Sequence, residues 1–351
     1  MAGEGGYEQV AFWYDRATGL RAIIAIYDTT LGPALGGVRM YPYPTEQAAV
    51  LDVLRLAKAM AYKSAAAGIN LGGGKAVIIG DPARDKSEAL FRAFGRFVHS
   101  LNGRYYTATD VGTTPEDMVF IRQETPFVAG LPEVMGGGGD TSANTALGIW
   151  EGLKVCIQEA LGRETPEGVR VAVQGLGKVG YRLVEYLVTA GARVTVTDVD
   201  PARLRRSTER YPVTVVPPEA IYDVECDVFS PNALGAVLND HTIPRLRCAI
   251  VAGGANNQLA APHHGRMLHQ RGILYAPDYV INAGGVINCY DELEGYRPER
   301  AAARTRTIAH TLAQVIALAR SEGLPTADAA DRLAEERMRT IGAVHRTYLR
   351  P

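Results

Sequence analysis

The sequence is poor in cysteine, balanced in charge and without a long apolar run. Its four cysteines form no C-x-x-C pair and no cluster with histidine, which predicts reduced thiols in a cytoplasmic protein and no metal site. The net charge of −1 over 351 residues gives no electrostatic reason to bind nucleic acid or a membrane surface. No run of about 18 apolar residues is present, so no membrane-spanning helix is expected. Residues 1–10 lack the basic and apolar regions of a signal peptide, and none is expected.

What the sequence does have is length, because 351 residues exceed what one hydrophobic core usually supports. Mixed strand and helix patterns over residues 1–135 predict an α/β domain. Strict alternation of strands and helices from residue 169 predicts a doubly wound parallel sheet of the Rossmann type, in a second domain over 136–325. The glycine-rich residues 136–141 (GGGGDT) are the predicted hinge. A C-terminal helix over 326–351, with Thr326 as its N-cap, is expected to pack back on the first domain.

Three residues of the first domain are candidates for chemistry. Residues 76–80 (AVIIG) predict a short buried strand, and Lys75 stands between that strand and three glycines, whose backbone could come close to a substrate. Lys63 ends a helix predicted to begin after the N-cap Thr45, and Asp110 follows a strand predicted over residues 104–109. Two lysines and a carboxylate suit carboxylate binding and acid–base work. Spacing alone supports this weakly, since most lysines are solvated.

The second domain contains a dinucleotide-binding pattern. Residues 175–180 match G-x-G-x-x-G between a predicted strand and a predicted helix. Gly175 permits the tight turn, Gly177 lets the backbone approach a pyrophosphate, and Gly180 allows close packing of helix on strand. Asp198 ends the next strand, where a carboxylate binds ribose hydroxyls and repels a 2′-phosphate, which favours NAD over NADP. The whole predicted cofactor set here is Gly175, Leu176, Gly177, Lys178, Val179, Gly180, Asp198 and Val199. Beyond it, Arg203, Arg205 and Arg206 fit a solvated helix face or a phosphate site.

Taken together, these motifs resemble the glutamate/leucine/phenylalanine/valine dehydrogenase family over nearly the whole chain. The residues that carry the resemblance are 32–37 (GPALGG), 54–58 (LRLAK), 62–63 (YK), 72–75 (GGGK), 109–113 (TDVGT), 174–180 (QGLGKVG), 255–258 (ANNQ) and 276–285 (APDYVINAGG). Their number and their order make the resemblance specific. It implies two domains of the kind predicted above, the cofactor NAD, and assembly into homo-oligomers, often octamers.

The resemblance also implies a role for individual residues. Lys63 matches the lysine that binds the substrate α-carboxylate, and Lys75 matches the catalytic lysine that activates water. Asp110 matches the acid–base partner that handles the protons of the amino group. Further positions are implied around the ligands: Gly36 and Gly37 lining the substrate site, and Thr145, Asn257 and Asn282 around the nicotinamide and substrate. Asn282 could instead be a structural turn residue. The implied reaction is the reversible oxidative deamination of an L-amino acid to the 2-oxo acid and ammonia.

The substrate side chain is expected to be nonpolar. Leu35 stands where glutamate-specific members carry a lysine that pairs with the side-chain carboxylate, and burying an unpaired carboxylate is costly. Ala108 and Val286 resemble leucine dehydrogenases, which favours leucine and other branched-chain substrates slightly. Asn144 does not fit a leucine enzyme and Cys289 matches neither branch, so phenylalanine dehydrogenase stays open as the alternative.

Two other classes compete with this hypothesis. A catalytically silent NAD-binding regulator would lack one of Lys63, Lys75 or Asp110, and all three are present. A 2-hydroxy-acid dehydrogenase would need a histidine acid–base group near the cofactor. The histidines available, His263, His264 and His269, fall in a predicted surface helix and are interpreted as solvated.

Overall fold

The computed structural model of the chain describes residues 6–344. The chain folds into two compact units: the first is Met1–Thr141, Asn288–Pro298 and Ala334–Pro351, and the second is Ser142–Ile287 and Glu299–Leu333. The segment 288–298 thus belongs to the first unit, although the sequence pattern groups it with the second domain. Because neither unit is continuous in sequence, the domain boundaries given above stay a prediction. Within the described residues, no helix combines the length and apolar character needed to cross a bilayer.

The first unit is built on a mixed five-stranded sheet. Its elements are β1 (Gln9–Asp15), β2 (Leu20–Asp28), β3 (Ala34–Tyr41), α1 (Glu46–Ala66), β4 (Gly72–Ile79), α2 (Glu88–Ser100), β5 (Tyr105–Thr109) and α3 (Pro115–Arg122). The strand order is β1-β2-β4-β3-β5. β1 pairs antiparallel with β2, and β2 pairs antiparallel with β4, whereas β3 runs parallel to both β4 and β5.

Helices cover both faces of this sheet. α1 packs on one face, where Val50, Val53 and Ala57 meet Ile23 and Val77. α2 and α3 pack on the other, where apolar residues such as Phe94 and Ile121 join Ile24, Val38 and Ile78 in the larger core. Alternation along each strand decides which residues face α1. The predicted helix start is confirmed: Thr45 accepts a hydrogen bond from the Ala48 amide as the N-cap of α1.

The second unit is a six-stranded parallel sheet. Its α-helices and strands from residue 142 to residue 281 are α4 (Ser142–Leu161), β6 (Arg170–Gln174), α5 (Lys178–Thr189), β7 (Arg193–Thr197), α6 (Pro201–Arg210), β8 (Thr214–Val215), β9 (Val228–Pro231), β10 (Ile250–Val251), α7 (His263–Gln270), β11 (Leu274–Tyr275) and α8 (Asp278–Ile281). The order β11-β10-β9-β6-β7-β8 starts in the middle at β6 and adds strands outward on each side. This is the 3-2-1-4-5-6 order of dinucleotide-binding folds, so the predicted doubly wound sheet is confirmed.

The chain after this sheet is helical, as predicted. It contains α9 (Gly284–Leu293), α10 (Pro298–Arg306), α11 (Ile308–Glu322) and α12 (Thr326–Val344). Thr326 is already helical, and its hydroxyl donates to the Tyr275 carbonyl instead of capping α12. From Ala334 onward α12 packs on α1, where the Tyr62 hydroxyl donates to Glu335 and Arg337 donates to the Ile69 carbonyl. Residues 345–351 of the predicted C-terminal helix lie outside the described residues.

Candidate active site

The three candidate chemical groups of the first unit lie on the face of its sheet that α1 covers. Lys75 is inside β4 and only 5% exposed. Its Nζ atom lies 3.1 Å from Oδ1 of Asp110, which follows β5. Lys63 is half-buried in the last turn of α1. The structure therefore brings Lys75 and Asp110, two of the residues singled out in the sequence, into direct contact.

The missing side chain of Gly37 makes room for Asp110 beside β3. In the parallel register Gly37 of β3 pairs with Ala108 of β5, so it lies between the strands that carry the two groups. A Cβ atom on Gly37 would lie 2.4 Å from the Thr109 carbonyl oxygen and 2.9 Å from Cβ of Asp110. Leu35 and Ala108 are buried on the same face as Gly37. Gly36 points to the opposite face, where its carbonyl accepts from the Tyr105 hydroxyl.

The three glycines before Lys75 serve packing of the protein on itself. They lie within β4, which begins at Gly72, whereas the sequence predicts a strand only from residue 76. A Cβ atom on Gly73 would lie 2.1 Å from the backbone nitrogen of Ala61, and one on Gly74 would lie 2.8 Å from the ring of Tyr105. Because Ala61 can approach β4 so closely, the last turn of α1, with Lys63, is held against the strand that carries Lys75.

The backbone of Asp110 is held by the turn that follows β5, and its carboxylate is held by two cations. Its backbone amide donates to the Thr113 hydroxyl, and that hydroxyl donates to the Val38 carbonyl. Arg39, which no sequence motif singles out, donates from Nε to Oδ2 of Asp110 at 2.8 Å. Burial alone would raise the pKa of Asp110, but the charges of Lys75 and Arg39 outweigh it and hold the pKa below its ordinary value. Asp110 is therefore a carboxylate near neutral pH.

The second unit places the glycine pattern at the carboxyl end of β6. Gly175 has the left-handed φ of +94° that the tight turn requires, and a Cβ atom on Gly180 would lie 2.0 Å from the Gly175 carbonyl oxygen. A Cβ atom on Gly177 would meet nothing within 4 Å, so its backbone is open to a ligand at the N-terminus of α5. Leu176 is buried, Val179 is half-buried and Lys178 is exposed in the first turn of α5.

Asp198 is held rigidly beside this turn. Its Oδ2 accepts from the Leu176 amide at 2.6 Å and its Oδ1 accepts from the Asp200 amide at 2.8 Å. Arg203 NH1 lies 3.6 Å from Oδ2 of Asp198, and the neighbouring Val199 is 84% exposed. Arg206 stacks over the ring of Tyr181 at 3.9 Å, which places it in a cation–π contact rather than a phosphate site.

A chain of amides continues along the carboxyl edge of the same sheet. Asn232, after β9, accepts from the Gly254 amide, and the Gly254 carbonyl accepts from Nδ2 of Asn282 at 3.2 Å. Asn282 Nδ2 also donates to Oδ1 of Asn256 at 2.8 Å. The buried Oδ1 of Asn282 has no hydrogen-bond partner among residues 6–344. An orphaned acceptor is expected where a ligand completes the hydrogen bonding.

The remaining predicted residues fall at separate places. Asn144 is buried and Thr145 half-buried in the first turn of α4, which Gly284 touches: a Cβ atom there would lie 2.0 Å from the Asn144 carbonyl oxygen. Val286 is buried in α9 of the second unit, and Cys289 is buried in the part of α9 that belongs to the first. Burial raises the pKa of Cys289 to about 12, so it is a thiol. Asn257 is exposed in a turn with φ +52°, and its neighbour Asn256 is the residue that contacts Asn282.

One histidine differs from the sequence-based interpretation. His264 is 3% exposed rather than solvated, and with Asp240 and His263 it offers ligand atoms that all lie within 4.8 Å of one another. Its Nδ1 accepts from the Ala261 amide, so the proton of the neutral ring is on Nε2, which faces Oδ1 of Asp240 at 3.3 Å. This arrangement is a hydrogen bond to Asp240, and it leaves no lone pair on His264 for a metal.

Comparison with known proteins agrees with these observations. The family model described as Glu/Leu/Phe/Val dehydrogenase, dimerisation domain, matches residues 8–127, and the model described as Glutamate/Leucine/Phenylalanine/Valine dehydrogenase matches residues 199–339. A leucine dehydrogenase from Bacillus cereus is 54% identical over 98% of this chain and 94% of its own length. A phenylalanine dehydrogenase from Bacillus thermotolerans is 51% identical over 97% and 91%. The crystal structure of L-tryptophan dehydrogenase from Nostoc punctiforme superposes with a TM-score of 0.84, at 45% identity, over 96% of this chain and 97% of that one.

Proposed function

Because the chain belongs to the glutamate/leucine/phenylalanine/valine dehydrogenase family and is an amino-acid dehydrogenase, we propose that it deaminates a nonpolar L-amino acid with NAD. The products are the 2-oxo acid and ammonia, and leucine and other branched-chain amino acids are the favoured substrates. The observation that carries the proposal is the pairing of buried Lys75 with Asp110, 3.1 Å apart on one face of a sheet. A buried lysine beside a carboxylate can exchange protons with a substrate while bulk water is kept away.

Each group has a distinct task in this proposal. Lys63, at the end of α1, binds the substrate carboxylate. Asp110 accepts a proton from the substrate amino group, and Lys75 orients and activates the water that attacks the imine carbon. When bound, the nicotinamide cofactor accepts the hydride that leaves the substrate Cα. The same residues returning their protons in reverse order support the aminating direction.

The residues of the second unit fit a nicotinamide dinucleotide. The open backbone at Gly177 and the N-terminus of α5 suit the pyrophosphate, and the orphaned Oδ1 of Asn282 suits an amide donor. We assign NAD rather than NADP because the Asp198 carboxylate is fixed by two backbone amides and cannot swing away from a 2′-phosphate. A 2′-phosphate would be attracted by the Arg203 guanidinium but repelled by the fixed Asp198 carboxylate beside it, so NAD stays the favoured cofactor.

The case for a nonpolar side chain rests on Leu35. It is 1% exposed on the same face of the sheet as Lys75 and Gly37, so a substrate carboxylate near it would lose its water without gaining a partner. The second candidate substrate is phenylalanine, which the buried Asn144 favours because it does not fit the leucine pattern. The buried Cys289 matches neither branch and does not decide between the two substrates.

The decisive experiment is a panel of initial rates with leucine, valine, phenylalanine, tryptophan and glutamate, each with NAD and with NADP. We expect kcat/KM with NAD to be largest for leucine and valine and at least about a hundredfold smaller for glutamate, the cost of one unpaired buried charge. Phenylalanine exceeding leucine would select the second candidate. Substantial glutamate activity, or no activity with any amino acid, would overturn the proposal.

We also propose that the chain forms a homo-oligomer, with an octamer as the expected state. β1 lies at an edge of the first sheet, and its outward side chains Val10, Phe12 and Tyr14 are exposed at 38%, 56% and 65%. An apolar stripe on an edge strand suits pairing with a second copy. The mass of the purified protein in solution tests the assembly. A cytoplasmic location stays a prediction.

A further inference from the structure

Arg39 bridges two carboxylates, one of which belongs to the proposed catalytic pair of Lys75 and Asp110. Its Nε donates to Oδ2 of Asp110 at 2.8 Å, and its NH1 donates to Oδ2 of Asp52 at 3.0 Å. Oδ1 of Asp110 faces Lys75 Nζ, so each oxygen of Asp110 has a cation of its own. The side chains of Arg39, Asp110 and Asp52 are 23%, 21% and 15% exposed, which makes these partly desolvated contacts.

Asp52 anchors Arg39 from the α1 side. Besides Arg39, it accepts from the Tyr43 hydroxyl at 2.6 Å and from the Arg55 guanidinium at 3.1 Å. The Arg55 side chain is 65% exposed, and within this network it contacts only Oδ1 of Asp52, whereas Arg39 and Tyr43 contact Oδ2. A guanidinium is planar and presents its donors in a fixed fork, so holding one edge on Asp52 fixes the direction in which Nε points.

We propose that Arg39 is a positioning residue for the deamination reaction: it fixes the orientation of the Asp110 carboxylate and keeps that carboxylate ionised to receive a proton from the substrate nitrogen. In this step an N–H bond of the substrate ammonium breaks and an O–H bond forms on Asp110, with no change of oxidation state. A lysine in place of Arg39 would supply the charge but could not hold both carboxylates with one planar group. The inference rests on the proposed function, because it assigns Arg39 to that reaction.

The electrostatic surroundings of Asp110 support this role. Burial raises the pKa of Asp110, while the charges of Lys75 and then Arg39 lower it to a net value below the ordinary one. The charged and titratable groups that interact with it come from several elements: Lys75 on β4 and Arg39 on β3 by direct contact, Tyr105 on β5 and Tyr43 after β3 through longer-range electrostatics, and Asp52 on α1 through Arg39. Burial raises the pKa of both tyrosines, so they stay neutral. Lys75 and Arg39 therefore set the charge state of Asp110.

The test compares Arg39→Met, Arg39→Lys and the matched control Arg55→Met in the full-length enzyme. The pH dependence of kcat/KM is measured for the best substrate of the panel. We expect a loss of roughly ten- to a hundredfold in Arg39→Met at neutral pH, typical of a misplaced catalytic group. Removing the cation raises the pKa of Asp110, so the acidic limb of the profile should move to higher pH. Arg39→Lys should recover the limb but only part of the rate, and Arg55→Met should match the wild type.

A second measurement keeps this inference separate from the proposed function. Thermal unfolding of Arg39→Met, Asp110→Asn and the double variant gives their coupling as a function of pH. Because the folded pKa of Asp110 is depressed, its contribution to stability is present above the unfolded pKa and is lost as the pH falls through the folded pKa. The coupling should therefore be clear at neutral pH and vanish in acid.

Each outcome bears on a different claim. An active wild type whose Arg39→Met and Arg55→Met variants share one pH profile would refute the positioning role. Additive unfolding at neutral pH would refute it as well, whether or not Arg39→Met is active. A wild type with no amino-acid dehydrogenase activity would defeat the proposed function, and the coupling would then still report whether Arg39 fixes Asp110. If Arg39→Met does not fold, Arg39→Lys carries both measurements.

Discussion

Two glycine-rich segments lie next to candidate functional groups: Gly72–Gly74 in the first unit and Gly175–Gly180 in the second. They differ in what occupies the space that the missing side chains leave. In the first segment the missing side chains make room for the protein itself: Ala61 of α1 at Gly73 and the Tyr105 ring at Gly74. In the second segment Gly180 also packs against the chain, but the space at Gly177 is open. Glycine thus marks close packing in one place and ligand access in the other.

The difference shows how each segment prepares chemistry. At Gly72–Gly74 the close approach of helix to strand builds the arrangement of Lys63, Lys75 and Asp110 before any ligand arrives. At Gly175–Gly180 the space beside the N-terminus of α5 and the Gly177 amide is left open for a ligand. We therefore expect changes in the first segment to act on folding and turnover, and changes at Gly177 to act on cofactor binding.

The largest expected effect is that of Lys75→Ala. Removing the buried ammonium takes away the group proposed to activate water and one of the two cations on Asp110. We expect kcat to fall on the order of a thousandfold or more, while NADH still binds, because Lys75 and the Gly175–Gly180 turn belong to different units. Initial rates and a fluorescence titration with NADH measure the two quantities.

A matched control for that variant is Lys86→Ala. Lys86 also forms an ion pair with an aspartate of the first unit, Asp117, and its side chain is 26% exposed. It should retain most of the wild-type kcat. A Lys75→Ala enzyme with near wild-type turnover would show that the Lys75–Asp110 pair is structural rather than catalytic.

The comparison of glycines can be tested directly with Gly73→Ala and Gly177→Ala. A methyl group on Gly73 would lie 2.1 Å from the Ala61 nitrogen, so α1 must move, and we expect the free energy of unfolding to drop by about 3 kcal/mol. A methyl group on Gly177 meets nothing within 4 Å and its φ of −64° suits alanine, so stability should change by no more than about 0.5 kcal/mol.

Cofactor affinity should respond in the opposite order. Gly177→Ala is expected to weaken NADH binding by roughly tenfold, about 1.4 kcal/mol, because the methyl group enters the space proposed for the pyrophosphate. Denaturant unfolding and NADH titration on both variants give the four values. Equal stability losses, or an unchanged NADH affinity in Gly177→Ala, would remove the distinction between the two segments.

The sequence predicts these parts of the molecule unevenly, and the reason is physical. The G-x-G-x-x-G turn and Asp198 are close in the chain and separated by one βα unit, so their proximity follows from local structure. The pairing of Arg39 with Asp110 follows only from β3 lying between β4 and β5, a strand order that hydrophobic patterns do not reveal. The close contact of Gly73 with Ala61 is hidden from the sequence for the same reason, because tertiary packing brings Ala61 to that strand.

A third glycine-rich stretch, residues 136–139, sharpens the comparison further. It is held by a side chain: Glu292 accepts hydrogen bonds from the amides of Gly130, Leu131 and Gly138 at 2.9, 3.1 and 2.9 Å. In Glu292→Gln one oxygen is replaced by a donor that faces amide hydrogens, so at least one amide loses its acceptor. We expect a loss of about 1–3 kcal/mol in the free energy of unfolding, measured by denaturant unfolding against Glu164→Gln at an exposed position. Glu292 thus supplies the acceptor for Gly138, whereas the amides of Gly136, Gly137 and Gly139 donate to backbone carbonyls. An unchanged stability in Glu292→Gln would show that the bonds to Glu292 contribute little to the order of this stretch.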